Sequence, residues 1–342
     1  MLALVVVCVR VAMPFALHAY LNRLLAHNPR YTGTVGDVDI ALYRGAYKIH
    51  DVDVRKRGAK VPVPFLAAPL VDVSLEWRSV FKGKLVGQVV LQSPELNFVA
   101  GPTDAQRQSG NEGEWKKLVE ALFPTQLNRF EVSDGKIHFR NFTSKPKVDV
   151  ALYHVDLVAQ DLSRGGDSQD PRPARLELRG DFEPTGHVVL HMALDPKAKA
   201  PSFDSDLVVK GAELAQWNDF LRAYANVDAK EGHLTLYAEL LAEDGGFRGY
   251  AKPFLTDVQV LDWKDVVKQD LLSTAWQAFV QGVIEVFRNH EDDDVATRIP
   301  ITGEKRPRGE FWPALGNTLY NAFIEGLAPR LEHSVGDRPA AS

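Results

Sequence analysis

From Asn28-Pro29 onward the chain is written largely in period two, and that alternation limits it to a strand-built fold. In VDVSLEW, Val71, Val73, Leu75 and Trp77 fall on one side, and Asp72, Ser74 and Glu76 on the other. LVGQVVLQ sets Val89 and Leu91 against Gln88 and Gln92. GHVVLHMAL aligns Val188, Leu190, Met192 and Leu194, and HLTLYAEL aligns Leu234, Leu236, Ala238 and Leu240. RLELRGDF and DVQVLDW follow the same rule. Successive side chains of a strand point to opposite faces, so each run has a dry and a wet side. Turn signals separate the runs at Ser133-Asp134-Gly135, Pro184-Thr185-Gly186, Lys230-Glu231-Gly232 and Asp244-Gly245-Gly246. Short strands with one wet face, joined by tight turns, predict antiparallel pairing. No βαβ alternation is visible, which argues against a parallel doubly wound sheet. VSDGKIHFRNF and AKEGHLTLYAEL suggest a degenerate β-repeat of turn and strand.

Helical spacing interrupts this pattern in a few places. Trp115, Leu118, Val119 and Leu122 predict a short helix near 114–123, and QWNDFLRAY another near 215–224. Lys264–Arg288 carries Val267, Leu271, Trp276, Phe279, Val280, Val283 and Phe287 at spacings of three and four. Phe311–Leu327 repeats the idea with Trp312, Leu315, Leu319 and Phe323, and ATRIPITGEK between them reads as one more strand. The expected organisation is a β domain over 28–263, a helix-strand-helix cap over 264–332 and a mobile polar tail over 333–342.

The first 27 residues are the most apolar stretch, interrupted by Arg10 and Pro14. A membrane span needs about 20 apolar residues, and an arginine within it is costly unless it snorkels. Three readings fit: an imperfect signal anchor, a span beginning upstream of Met1, or a buried core helix. The uncleaved anchor is the one expected here, with Arg23 and Arg30 just past its end.

Composition excludes several classes. Net charge is −5, and no Lys/Arg stripe interleaves with aromatics, which disfavours nucleic-acid binding. The single cysteine, Cys8, allows neither an internal disulfide nor a cysteine-rich zinc site. Ser79-Val80-Phe81-Lys82 matches S-x-x-K, but it follows a strand and lacks the partner motifs of serine acyl-enzymes. His290 with Glu291, Asp292, Asp293 and Asp294 offers oxygen donors without calcium-loop spacing, and reads as a solvated loop. His50, His138, His154, His187, His191 and His233 are scattered without metal-ligand spacing. His138 falls on the polar side of its strand, and His191 opposite the Leu190 side. No catalytic residue, metal or cofactor is expected.

Several segments resemble the AsmA-like family, and in particular its branch of bacterial envelope proteins known as domain of unknown function 748. They are YTGTVGDVDIALYRGAYKIHDVDVRK, PVPFLAAPLVDVSLEWRSVFKGKLVGQVVLQSPELNFV and ATRIPITGEKRPRGEFWPALGNTLYNAFIEGL. The resemblance implies an N-terminal inner-membrane anchor with the bulk of the chain in the periplasm. It also implies a curved, elongated antiparallel sheet of AsmA-type repeats with an apolar groove, and a role in phospholipid transfer or outer-membrane biogenesis.

The residues themselves are compatible with that. A dry sheet face must be covered by a second sheet, by helices or by guests. Burying acyl chains gains about 0.8 kcal/mol per CH₂, so an apolar trough holds lipid without specific polar contacts. The candidate lipid-facing residues are Val73, Leu75, Trp77, Val89, Leu91, Val188, Leu190, Met192, Leu234, Leu236 and Leu240; plain core packing is the competing role for each. Two rival functions stand beside this one: a scaffold that binds envelope protein partners and carries no cargo, and a periplasmic hydrolase whose site no motif reveals.

Overall fold

The computed structural model describes residues 2–41, 45–75, 86–108, 126–167, 169–225, 228–262, 295–296 and 299–303. The expected helices near 114–123, 264–288 and 311–327, the tail, Trp77, the Ser79–Lys82 motif and the acidic run at 291–294 lie outside them. The chain opens with helix α1 (Leu2–His27). Strands β1 (Tyr31–Thr34), β2 (Val38–Ala41), β3 (Ala46–Lys56), β4 (Leu66–Leu75), β5 (Val86–Gln92) and β6 (Glu95–Ala100) follow. Then come β7 (Gln126–Asn141), β8 (Val148–Gln160), β9 (Ala174–Phe182), β10 (Gly186–Leu194) and β11 (Phe203–Glu213). The last are β12 (Asp228–Glu243), β13 (Gly246–Asp262), β14 (Val295–Ala296) and β15 (Ile299–Gly303).

All of them join one 15-stranded sheet. From β7 to β13 it is a meander in which every strand pairs antiparallel with the next. The all-antiparallel expectation fails at one joint, because β5 and β6 both pair with β7 in parallel. A parallel pair needs a long crossover, and residues 101–125 supply it. β5 and β6 act as one bent strand: Ser93 N–H donates to the Ser133 carbonyl at 2.8 Å, and Lys136 N–H to the Pro94 carbonyl at 2.7 Å.

Two of the four predicted turns are not turns. Ser133-Asp134-Gly135 lies inside β7, where the register to β8 jumps between Val132 and Gly135. Lys230-Glu231-Gly232 lies inside β12, again at a break in register. Asp134 (φ 52°) and Gly232 (φ 135°) take positive φ, which lets the strand absorb an extra residue as a bulge and continue. The other two signals do turn the chain. Asp244 (φ 51°) and Gly245 (φ 81°) form the two-residue loop between Glu243 and Gly246, with positive φ at both positions as such hairpins require.

The second half of α1 packs onto the sheet. Leu21 (1% exposed) and Leu25 (0%) join Tyr31, Ile49, Val71, Val73 and Val89 in one core. Arg57 closes the helix end, donating to the carbonyls of Ala26 at 2.7 Å and Asn28 at 3.0 Å, which otherwise lack helical donors. At 26 residues the helix is about 39 Å long, and its residues in or against this core are Leu17, Leu21, Leu24 and Leu25. Phe15 is 72% exposed on this helix, with Tyr20 and Met13 exposed as well. Among the described residues no helix is long and apolar enough to cross a membrane. The expected helix at 215–224 is a short strap running through a 3-10 turn (Leu214–Trp217), an α turn (Asn218–Phe220) and a π turn (Leu221–Ala225). Asn218 pins it to the start of β12, donating to the Ala229 carbonyl at 2.8 Å and accepting from Ala229 N–H at 2.9 Å.

Candidate functional site

Directly paired residues of neighbouring strands share a face, so register decides whether the scattered apolar positions form one surface. They do. One row runs Ile49, Val71, Leu91, Val132, Leu157, Leu178, Leu190, Leu207, Ala238, Ala251, Ile299, each opposite the next. Beside it runs a second: Tyr47, Val73, Val89, Phe130, Ala159, Leu176, Met192, Ser205, Leu240, Gly249, Ile301. At the usual strand spacing each row spans about 48 Å. The bulges keep it intact: β7 and β8 each carry an extra residue, and Val132–Leu157 and Ile137–Leu152 stay paired on either side.

Covering divides this face into two parts. Under α1 it is sealed, with Val73 at 3%, Val89 at 1% and Leu91 at 8% exposure. Burial also raises the Tyr47 hydroxyl pKa to about 12. Across β8–β12 the large side chains Leu157, Leu176, Leu178, Leu190, Met192, Leu207 and Leu240 are only half-buried. The strap crosses one margin of this open part. Trp217 stacks edge-on to Phe182 at 5.0 Å, Phe220 meets Phe139 at 6.0 Å, and Asn141 Nδ2 donates to the Tyr224 hydroxyl at 2.6 Å. Val188 and Val209 are buried beside the strap, with Leu234 and Leu236 packed against them. Burial raises the Tyr224 pKa, partly offset by the Asn141 contact.

The described candidates therefore share one face but not one environment. Val73, Val89 and Leu91 are core beneath α1; Val188, Leu234 and Leu236 support the strap; Leu190, Met192 and Leu240 lie in the open part; Leu75 is half-buried opposite Gly87. Leu157 and Leu176 belong with the open group, Leu178 and Leu207 lie at its margin against Val188 and Val209, and none of the four was among the sequence candidates. The alternation of Leu176 and Leu178 with Arg175, Glu177 and Arg179, and of Leu207 with Asp206, could have found three of them. The bulge at His154 (φ 47°) hides Leu157 by shifting the phase of β8.

The opposite face is polar and stitched by histidine–aspartate pairs between strands. His187 Nδ1 lies 2.6 Å from Asp181, His191 Nδ1 2.8 Å from Asp206, and His138 Nδ1 2.7 Å from Asp149. Asp149 also accepts from Arg140 Nε at 2.9 Å. His154 pairs with Asp134 at 3.0 Å; that hydrogen bond raises the His154 pKa and lowers that of Asp134. An open depression of about 450 Å³ lies on this face, bordered by Arg175, Glu177, His191 and Asp206. Glu177 and Asp206 are already paired there, with Arg179 at 2.6 Å and His191 at 2.8 Å. The apolar face is therefore the stronger candidate. Its two rows carry one titratable group, Tyr47, so what this surface offers is burial of apolar matter. Among the described residues no cluster of three or more His, Cys, Asp or Glu side chains is placed to hold a metal ion. No protein-family model matches this chain, and no curated protein matches it.

Proposed function

We propose that this protein holds the acyl chains of membrane lipids against the open apolar face of β8–β12, as an envelope protein of AsmA-like type. The observation that carries the reading is the pair of apolar rows, interrupted only at Ser205, whose large side chains across β8–β12 are half-buried between the core that includes α1 and the strap. The apolar surface that half-buried leucines leave in water is costly, and acyl chains relieve that cost at about 0.8 kcal/mol per CH₂ buried. Contiguous apolar patches of this kind mark interaction sites. The chain is held at the bacterial inner membrane by the first half of α1, with the sheet on the periplasmic side. The exposed Met13 and Phe15 near the middle of the helix support that placement.

Photoreactive fatty acid added to the purified full chain tests the reading. Adducts on peptides from β9, β10 and β11 are expected. Adducts confined to α1, or none, count against it. In the latter case, a protein that co-purifies stoichiometrically favours the scaffold role.

A further inference from the structure

The half-buried side chains of β8–β12 are ringed on four sides by residues that are buried or packed into a core. Toward the strap, the next row of register partners is Gly180, Val188 and Val209, all buried, with Leu236 packed against them. Toward the opposite strand ends, the next row is Ala174, Leu194, Phe203, Ala242 and Phe247. Of these only Leu194 is half-buried, and Phe203 is 4% exposed. On the β7 side, Phe130 and Val132 pack against the core that includes α1. On the β13 side, the first row passes to Ala251 and the second to Ile301, which are 0% and 1% exposed. Strand side chains stand off the sheet, so a phenylalanine or isoleucine this well buried is covered from above as well as from the side. The open part is therefore a closed basin and not a channel along the whole sheet.

At the usual spacings the basin measures about 19 Å across β8–β12 and about 13 Å along the strands, an area of about 250 Å². A stable protein interface covers about 800 Å² on each partner, so a second copy or another protein is poorly matched to it. Its two rows stand two residues apart on each strand and enclose a single furrow that crosses the strands. The hydrocarbon core of a bilayer is about 30 Å thick and two chains deep, so one lipid chain reaches about 15 Å. Resting on the acyl-chain reading above, we propose that this basin seats one acyl chain, laid across β8–β12 and limited in length by the closed ends. The ligand class is then a lipid of ordinary membrane chain length, with one chain held and any second chain left outside. Across these strands the two rows carry no charged side chain, so selection is by chain and not by head.

The test uses the full chain with photoreactive fatty acid bound, and saturated fatty acids of increasing length as competitors. The readout is loss of adducts on β9, β10 and β11 peptides, which restricts it to the basin. Competitor affinity should rise about fourfold per added CH₂ up to ordinary membrane chain length, then stay flat for longer chains. Ala238→Phe fills the β12 end of the furrow, where Ala238 lies opposite Leu207 and Ala251, and should move the plateau to shorter chains. Phosphatidylcholine and its single-chain lyso form, equal in chain length, should compete within a few-fold of each other. Affinity that keeps rising well past membrane chain length overturns the closed basin and leaves the acyl-chain reading standing. A two-chain lipid that competes far better than its lyso form overturns the single seat. An unchanged plateau in folded Ala238→Phe overturns the orientation across the strands. Absence of adducts on these strands overturns both the basin and the acyl-chain reading. If Ala238→Phe does not fold, the wild-type length series decides alone.

Discussion

Asn22 on α1 holds both main-chain polar groups of Val35: Val35 N–H donates to Asn22 Oδ1 at 3.0 Å, and Asn22 Nδ2 donates to the Val35 carbonyl at 3.3 Å. The side-chain amide thus takes the place of a neighbouring peptide at the sheet's first edge. It fixes the helix against β1 and β2 while Leu21 and Leu25 bury beside it. Asn22→Leu leaves the Val35 groups unpartnered. It should cost about 1–3 kcal/mol in urea unfolding, although the apolar surface of the helix increases. An unchanged midpoint would show that the helix is held by its leucines alone.

The sealed and open parts of the face should respond differently to truncation. Leu25→Ala empties a fully buried site and should destabilise by about 2–5 kcal/mol. Leu190→Ala removes a half-buried side chain and should cost about 1 kcal/mol in lipid-free protein. Denaturant midpoints of the two variants with equal slopes provide the check. Equal losses would mean that Leu190 is core.

The pairing of His154 with Asp134 predicts a pH signature. The hydrogen bond that His154 donates to Asp134 raises the His154 pKa above its ordinary 6.5. Its contribution to stability is therefore complete below pH 6.5 and lost as pH rises through the folded value. For Asp134, lowered from 3.8, the contribution is present above that value and lost as pH falls through the folded one. NMR titration should place His154 above 6.5 in the wild type and return it toward 6.5 in Asp134→Asn. Identical titrations in the two proteins would break the pairing.

Much of this sheet was legible in the sequence because the code for a half-wet strand is local. Leu190 and Met192 alternate with His191 whatever the strand's neighbours are. What alternation does not encode is which strand lies beside which. The parallel joint of β5 and β6 to β7 depends on a crossover through 101–125, and no period-two signal reports it. Bulges were misread as turns for a related reason. Asp134-Gly135 and Glu231-Gly232 carry turn chemistry, yet their flanking strands remain paired with the same neighbour. The difference between Val89 and Leu190 was also invisible. Both face the dry side, and tertiary packing decides between them: Val89 lies in the core that includes Leu21 and Leu25 of α1, and Leu190 does not.

The central claim is that the open leucines of β8–β12 carry acyl chains, and native mass spectrometry of full-length protein extracted from membranes tests it most directly. The account predicts lipid-sized mass additions on the wild type. They should be lost in folded Leu190→Asp and kept in Val208→Asp, one residue along from Leu207 on the polar face. Wild-type protein that arrives without lipid, or Leu190→Asp that retains all of it, would contradict the account.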